Sequence, residues 1–193
     1  MSNSSWPDWL PIRSNLAGMS AYGAPQLPVA VKLNTNENPY APSNELAQAI
    51  SLRIAEVAKT LNRYPDRDAT ALRGKLSDFI NSLSRTVFTQ ENIWAANGSN
   101  EIIQSLFLAF GESTALGFTP SYSMHPLIAK VCQVPWIAGT RNPDFSLDIE
   151  SALAQIKSAQ PTLTFITTPN NPTGGSITIE EIERLAKAVP GLL

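Results

Sequence analysis

Leu163-Thr164-Phe165-Ile166-Thr167-Thr168-Pro169-Asn170-Asn171-Pro172-Thr173-Gly174-Gly175 leads, through Ser176 and Ile177, into Thr178-Ile179-Glu180-Glu181. Residues 163–167 have no polar face, the pattern of a strand covered on both sides of a sheet. Thr178 and Glu181 have the spacing of a capping box, and Ile182, Leu185 and Val189 continue a helix behind it. Between strand and helix, residues 168–175 hold two Asn and two Pro, more than a plain connection needs. An Asn side chain there can donate to a phenolate-like oxygen. In open α/β sheets, loops at the carboxyl ends of strands are where ligands sit.

Working outward, the same alternation recurs. Residues 93–96 read as a short buried strand, followed by a helix carrying Ile102, Ile103, Leu106, Phe107 and Phe110. Residues 114–118 read as a strand, 122–131 as a helix and 134–138 as a strand. Asp148 caps a helix with Ile149, Leu153 and Ile156. This alternation predicts an α/β fold with a mostly parallel sheet. Further upstream, Ser43 is a candidate cap for a helix with Leu46, Ile50, Ile54, Val57 and Leu61 on one face. Asp68 is a candidate cap for a second, with Leu72, Leu76, Phe79 and Leu83. Residues 1–30 read as an extended arm ending in a short strand candidate at 29–33. The arm and the turn-rich string after it form a segment 1–40, ahead of an α/β region 41–193.

Composition narrows the function. The 193 residues are 43% hydrophobic and 16% charged, as in a folded protein, and the net charge of -2 provides no basic field for nucleic acid. One cysteine, Cys132, and one histidine, His125, exclude a disulfide framework and a multi-histidine or multi-cysteine metal site. No apolar run approaches the roughly 18 residues of a membrane helix, and Met1 to Leu10 lack a signal-peptide core. The expectation is a cytoplasmic protein with no membrane and no nucleic-acid partner.

Two further loops follow candidate strands. Gly98-Ser99-Asn100-Glu101 opens a helix, whose first N–H groups suit an anion and where Ser99 adds a hydroxyl donor. Taken alone, it is read more simply as an ordinary strand-to-helix turn. In Pro120-Ser121-Tyr122-Ser123, the Tyr122 ring can stack on a flat ligand or pack into the core. His125 has no carboxylate near it in sequence and reads as structural.

Taken together, Asn36-Glu37-Asn38-Pro39, Arg63-Tyr64-Pro65, Gly98-Ser99-Asn100-Glu101, Pro120-Ser121-Tyr122 and Asn170-Asn171-Pro172-Thr173-Gly174 resemble, in order and spacing, the fold type I pyridoxal-phosphate aminotransferases. The strings around Asn36 and Tyr64 are similar to the histidinol-phosphate aminotransferase branch, with the aromatic-amino-acid aminotransferases close to it. The resemblance implies a three-layer α/β/α large domain with an N-terminal arm. It implies transfer of an amino group between L-histidinol phosphate and 2-oxoglutarate in histidine biosynthesis, with pyridoxal 5'-phosphate as cofactor and a homodimer as the complete enzyme. It assigns the cofactor phosphate to Ser99 and Asn100, ring stacking to Tyr122 and the phenolic oxygen to Asn171. Tyr64 would reach the cofactor phosphate of the neighbouring subunit, and Asn36, Asn38 and Tyr40 would line the substrate mouth.

The family's Asp-Glu-Ala-Tyr and Ser-Lys motifs do not occur in this sequence, so the resemblance supplies no catalytic residue: the Schiff-base lysine and the pyridine-pairing Asp are missing. The chain therefore reads as the N-terminal half of such an enzyme, inactive alone, or as a non-catalytic fragment. The family's sheet order of 3-2-4-5-6-7-1 makes residues 93–96 strand 1, whose only neighbour would be strand 7. The expectation is an orphaned strand 1 and an unpaired outer edge on 163–167. A nucleotide-phosphate module is a weaker reading, because no Gly-x-Gly-x-x-Gly or P-loop lysine is present.

Overall fold

The computed structural model describes residues 7, 9–19, 23, 25 and 27–193; the sequence reading of the other N-terminal positions, Trp6 and Asp8 among them, lies outside it. Among the described residues one parallel sheet forms from β1 (Ala115–Thr119), β2 (Trp136–Thr140) and β3 (Leu163–Phe165), in the order β2-β1-β3. Ala115 pairs with both Trp136 and Leu163, and Gly117 with both Ala138 and Phe165. β1 is central, and its side chains alternate between two cores. Leu116 and Phe118 pack with Leu147, with Ile149, Ala152 and Ile156 of α5 (Ile149–Ala159), and with Leu185 of α6 (Ile179–Ala188). On the other face Ala115 and Leu163 meet Phe107 of α3 (Ser99–Phe110), Ile128 and Ala129 of α4 (Met124–Val131), and Val134. Helices on both faces of a parallel sheet make the three-layer α/β/α arrangement that the sequence predicts.

Burial explains why these segments hold. Leu116, Phe118, Leu163 and Leu185 are almost fully buried, and each contributes about 1.5–3 kcal/mol relative to an exposed side chain. Asp148 caps α5 by accepting from Ser151 N, and the Thr178–Glu181 capping box closes α6 as the spacing requires. β2 begins two residues later than the pattern predicts. Val134 N donates to Ala129 O and closes the end of α4, so Val134 packs as part of that turn.

Two edge expectations change. The outer edge of β3 is paired at one point: Leu192 forms a parallel bridge with Leu163, its N–H donating to Thr162 O at 3.0 Å and its carbonyl accepting from Thr164 N at 2.8 Å. Residues 93–96, by contrast, form no strand. The Arg73 guanidinium donates to Ile93 O at 2.8 Å and to Gln90 O, in the 3-10 turn before it, at 2.7 Å. Residues 29–33 are likewise not a strand, and Val31 and Leu33 are exposed.

The chain divides into two compact units, one of residues up to Met19 with Ala96–Leu193, the other of Ser20–Ala95. The second unit holds α1 (Asn44–Ala58) and α2 (Thr70–Ser84). Ser43 caps α1 through Leu46 N, as expected. The N-cap position of α2 is Ala69, which has no capping side chain, and Thr70 N donates to Asp66 Oδ2 at 2.9 Å. Asp68 is engaged by Arg67 instead, and Ala69 enters the helix in the left-handed region. The apolar positions expected to form buried faces are largely exposed: Leu46, Ile50, Ile54, Val57 and Leu61 in and after α1, and Leu72, Phe79 and Leu83 in α2.

Candidate functional site

Within the first unit, α3 starts after Gly98, whose φ of +79° lies in the region that a side chain disfavours. The turn is fixed by Asn97 N, which donates to the Glu101 carboxylate at 2.6 Å. Among the described residues no side chain caps α3, and Ser99 and Asn100 are exposed. The first-turn N–H groups and the positive end of the helix dipole are thus open to a ligand, the chemistry of an anion site.

The loop after β1 reaches this helix start. Tyr122 Oη donates to Asn100 Oδ1 at 3.1 Å. The Tyr122 ring stands edge-on to His125, with centroids 5.4 Å apart and an interplanar angle of 81°. His125 is buried and stacks on Phe165 at 4.7 Å. Burial lowers its pKa below the ordinary histidine value, which favours the neutral ring. Tyr122 and His125 line a cavity of about 240 Å³ with Ser121, Trp136 and Phe165.

The third loop, after β3, is tied to the second. Ser121 Oγ donates to Thr167 Oγ1 at 3.1 Å. Asn170 is almost fully buried, and its Nδ2 donates to Pro120 O at 3.0 Å and to Thr173 Oγ1 at 2.7 Å. Its backbone closes the turn, with Asn170 N donating to Gly175 O and Gly174 N to Asn170 O, each at 2.7 Å. Asn171, next along, is exposed. The two asparagines therefore divide the work: one builds the loop and the other is presented by it. Arg141, just past β2, completes the set, its Nη2 donating to Asn170 Oδ1 at 3.2 Å. Burial lowers the pKa of this guanidinium from its ordinary value.

The three loops cluster at the carboxyl edge of a parallel sheet, and the model of aminotransferase class I and II matches residues 28–192. The chain belongs to the class I and II aminotransferase family. It is 50% identical over 186 residues to a histidinol-phosphate aminotransferase of Corynebacterium glutamicum, covering 95% of this chain and 51% of that one. The chain thus spans about half the length of the curated relatives it matches. Among solved aminotransferases, that for aspartate from Thermus thermophilus has a TM-score of 0.67 at 19% identity, covering 80% of this chain and 43% of that one. Cystalysin from Treponema denticola, whose structure contains pyridoxal 5'-phosphate, has a TM-score of 0.63 at 13% identity, covering 78% of this chain and 38% of that one. Both likenesses are of fold, and they agree with the three-layer architecture.

Against the sequence-predicted set, the aminotransferase chain brings Asn100 and Tyr122 into direct contact, with Ser99 beside Asn100 at the start of α3 and Asn171 on the adjoining loop. Tyr64, Asn36, Asn38 and Tyr40 belong to the second unit and are exposed there, Tyr64 completely so. Asn38 Oδ1 accepts from Tyr40 N at 3.0 Å, which shapes its turn. Sequence reasoning missed Arg141 and the structural part of Asn170. The doubled asparagine was the visible signal for Asn170, but nothing in the local pattern marked Arg141. No helix among the described residues is long and apolar enough to cross a membrane.

Proposed function

We propose that this chain supplies the cofactor-phosphate and ring-stacking half of a pyridoxal-phosphate aminotransferase. The complete protein moves an amino group between L-histidinol phosphate and 2-oxoglutarate. The observation that carries this reading is the uncapped start of α3 at Ser99 and Asn100, joined to the Tyr122 ring by a hydrogen bond. The donor set fits a flat phosphorylated ring. Open N–H groups and a hydroxyl suit a phosphate dianion, the half-buried Tyr122 ring suits a heteroaromatic face, and the exposed Asn171 amide suits a phenolic oxygen.

When bound, pyridoxal 5'-phosphate supplies an electron sink for the carbon that exchanges its amino group. This chain's part is to bind and orient. Ser99 and the first turn of α3 hold the phosphate, Tyr122 covers one ring face and Asn171 donates to the phenolic oxygen. The proton-moving lysine and the acid facing the ring nitrogen are supplied by other parts of the complete protein. Tyr64 reaches the phosphate across a homodimer, and Asn36, Asn38 and Tyr40 border the substrate mouth. Residues 1–40 are the arm, and 41–193 are the beginning of the cofactor domain. The family's biosynthetic chemistry supports a cytoplasmic location, and the similarity to histidinol-phosphate aminotransferases supports that donor over an aromatic amino acid.

A ³¹P NMR titration of pyridoxal 5'-phosphate with the purified chain tests the reading. The phosphorus line should shift on binding, and pyridoxal without phosphate should not compete. A line unmoved at millimolar chain would overturn it. In the complete protein, faster turnover with L-histidinol phosphate than with phenylalanine or tyrosine separates the two donors.

A further inference from the structure

Arg141 is a half-buried cation, and among the described residues no carboxylate lies within ion-pair distance of it. Its guanidinium is satisfied by neutral acceptors alone: Nε donates to Phe118 O at 3.4 Å, Nη1 to Phe145 O at 3.3 Å and Nη2 to Asn170 Oδ1 at 3.2 Å. These acceptors come from the end of β1, from the turn after β2 and from the loop after β3. A partly desolvated charge with only neutral partners is costly to keep. A rigid, donor-only fork that reaches three separate segments is what an arginine can provide and a lysine cannot.

The decisive contact is the one to Asn170. A primary amide can face either way, and an arginine offers only donors, so Oδ1 must turn toward Arg141. Nδ2 donates to Pro120 O and Thr173 Oγ1, and because the Pro120 carbonyl can only accept, it and Arg141 fix the amide together from its two ends. Both Nδ2 hydrogens and the Oδ1 atom of Asn170 are then engaged, and the loops carrying Tyr122 and Asn171 are locked to each other. With the amide reversed, Nδ2 would face the guanidinium and Oδ1 would face the Pro120 carbonyl, so both contacts would become repulsive.

We propose that Arg141 is a positioning residue: by fixing the orientation of the Asn170 amide, it sets the relation between Tyr122 and Asn171 and so the width of the slot offered to the cofactor ring. The slot's occupant rests on the function proposed above, whereas the locking of the two loops does not. Arg141 touches no reacting atom.

The test uses the full chain, labelled with ¹⁵N. In the wild type, the Arg141 guanidinium protons should show Overhauser contacts to the Asn170 side chain, and the Asn170 amide protons should exchange slowly. Arg141→Lys should speed that exchange about ten-fold and move the Asn171 resonances. Arg184→Ala serves as control, because it removes the ion pair with Glu150 between α6 and α5 without touching Arg141, its acceptors or Asn170; at equal loss of stability it should leave the Asn170 amide protected. Titration with pyridoxal 5'-phosphate adds a second readout, in which Arg141→Lys should weaken binding about five- to ten-fold, roughly the value of one ordinary hydrogen bond. If the wild type binds no cofactor but the Asn170 effects appear, the cofactor reading fails and the loop lock stands. If the wild type lacks the Overhauser contacts, or Arg141→Lys leaves Asn170 protected and binding unchanged, the proposal is overturned. The wild-type contacts decide the matter even if Arg141→Lys does not fold.

Discussion

Tyr122 Oη donates to Asn100 Oδ1 at 3.1 Å, so the ring after β1 and the first turn of α3 are held as one piece. Tyr122→Phe keeps the ring and removes that bond. Binding of pyridoxal 5'-phosphate should then weaken by about 1 kcal/mol, roughly five-fold. Tyr122→Ala should weaken it further, because the stacking surface is lost as well. Equal dissociation constants in all three proteins, measured by fluorescence titration, would remove Tyr122 from the site.

Ser99→Ala should cost about 1 kcal/mol of cofactor affinity, the scale of one hydrogen bond. Ser99 is exposed, so folding stability should hardly change. A shift in the urea midpoint comparable to the shift in affinity would mean that the hydroxyl serves the helix rather than the ligand.

The pH dependence follows from His125. Its folded-state pKa lies below the ordinary value of 6.5 because burial disfavours the charged ring. The unfolded chain therefore takes up a proton before the folded one does. The stability due to neutral His125 is fully present above about pH 6.5 and is lost as pH falls through the lower, folded value. His125→Phe should keep the stack on Phe165 and flatten this part of the profile. Denaturant unfolding from pH 7.5 to 5 tests this; parallel curves for wild type and variant would contradict it.

The six lysines, Lys32, Lys59, Lys75, Lys130, Lys157 and Lys187, are all exposed and none lies in the three clustered loops. Borohydride reduction of this chain with pyridoxal 5'-phosphate should give scattered, substoichiometric labelling. Peptide mapping that finds one lysine fully modified, with amino transfer by the chain alone, would refute the division of labour proposed here.

Gly191 sits against the backbone of Thr162, where an added Cβ would collide with the Thr162 carbonyl group. Gly191→Ala should push Leu192 off β3 and cost about 1–3 kcal/mol, the usual scale of overpacking. Hydrogen exchange at Thr164 N, which donates to Leu192 O, reports the loss directly. Unchanged protection there would show that the bridge is not stabilising.

The sequence made the sheet legible wherever local pattern and tertiary need coincide. The 163–167 run has no charged or exposed face because Leu163 and Thr164, on opposite faces, are both buried, and the Thr178–Glu181 box is a short-range device that reads the same in any context. Residues 93–96 have equally good strand composition but no strand, because sheet bonds are made by a neighbour and no described segment pairs with them. The helical faces of α1 and α2 were legible as stripes, but a stripe says only that a face is apolar, not that it is covered. In the site, Ser99, Tyr122 and Asn171 were visible through their loops. Arg141 was not, because its importance lies in acceptors from three distant segments that no local pattern records.

The placement of Leu192 also bears on how the chain folds as it is made. β1 emerges first and occupies the centre; β2 is added on one side and β3 on the other, and Leu192 then settles against β3. Each later segment lies beside one made before it, so the final order places no strand between two already paired. Domains fold as units as they are made, and in this one no pairing made by an earlier segment has to be undone for a later one to join.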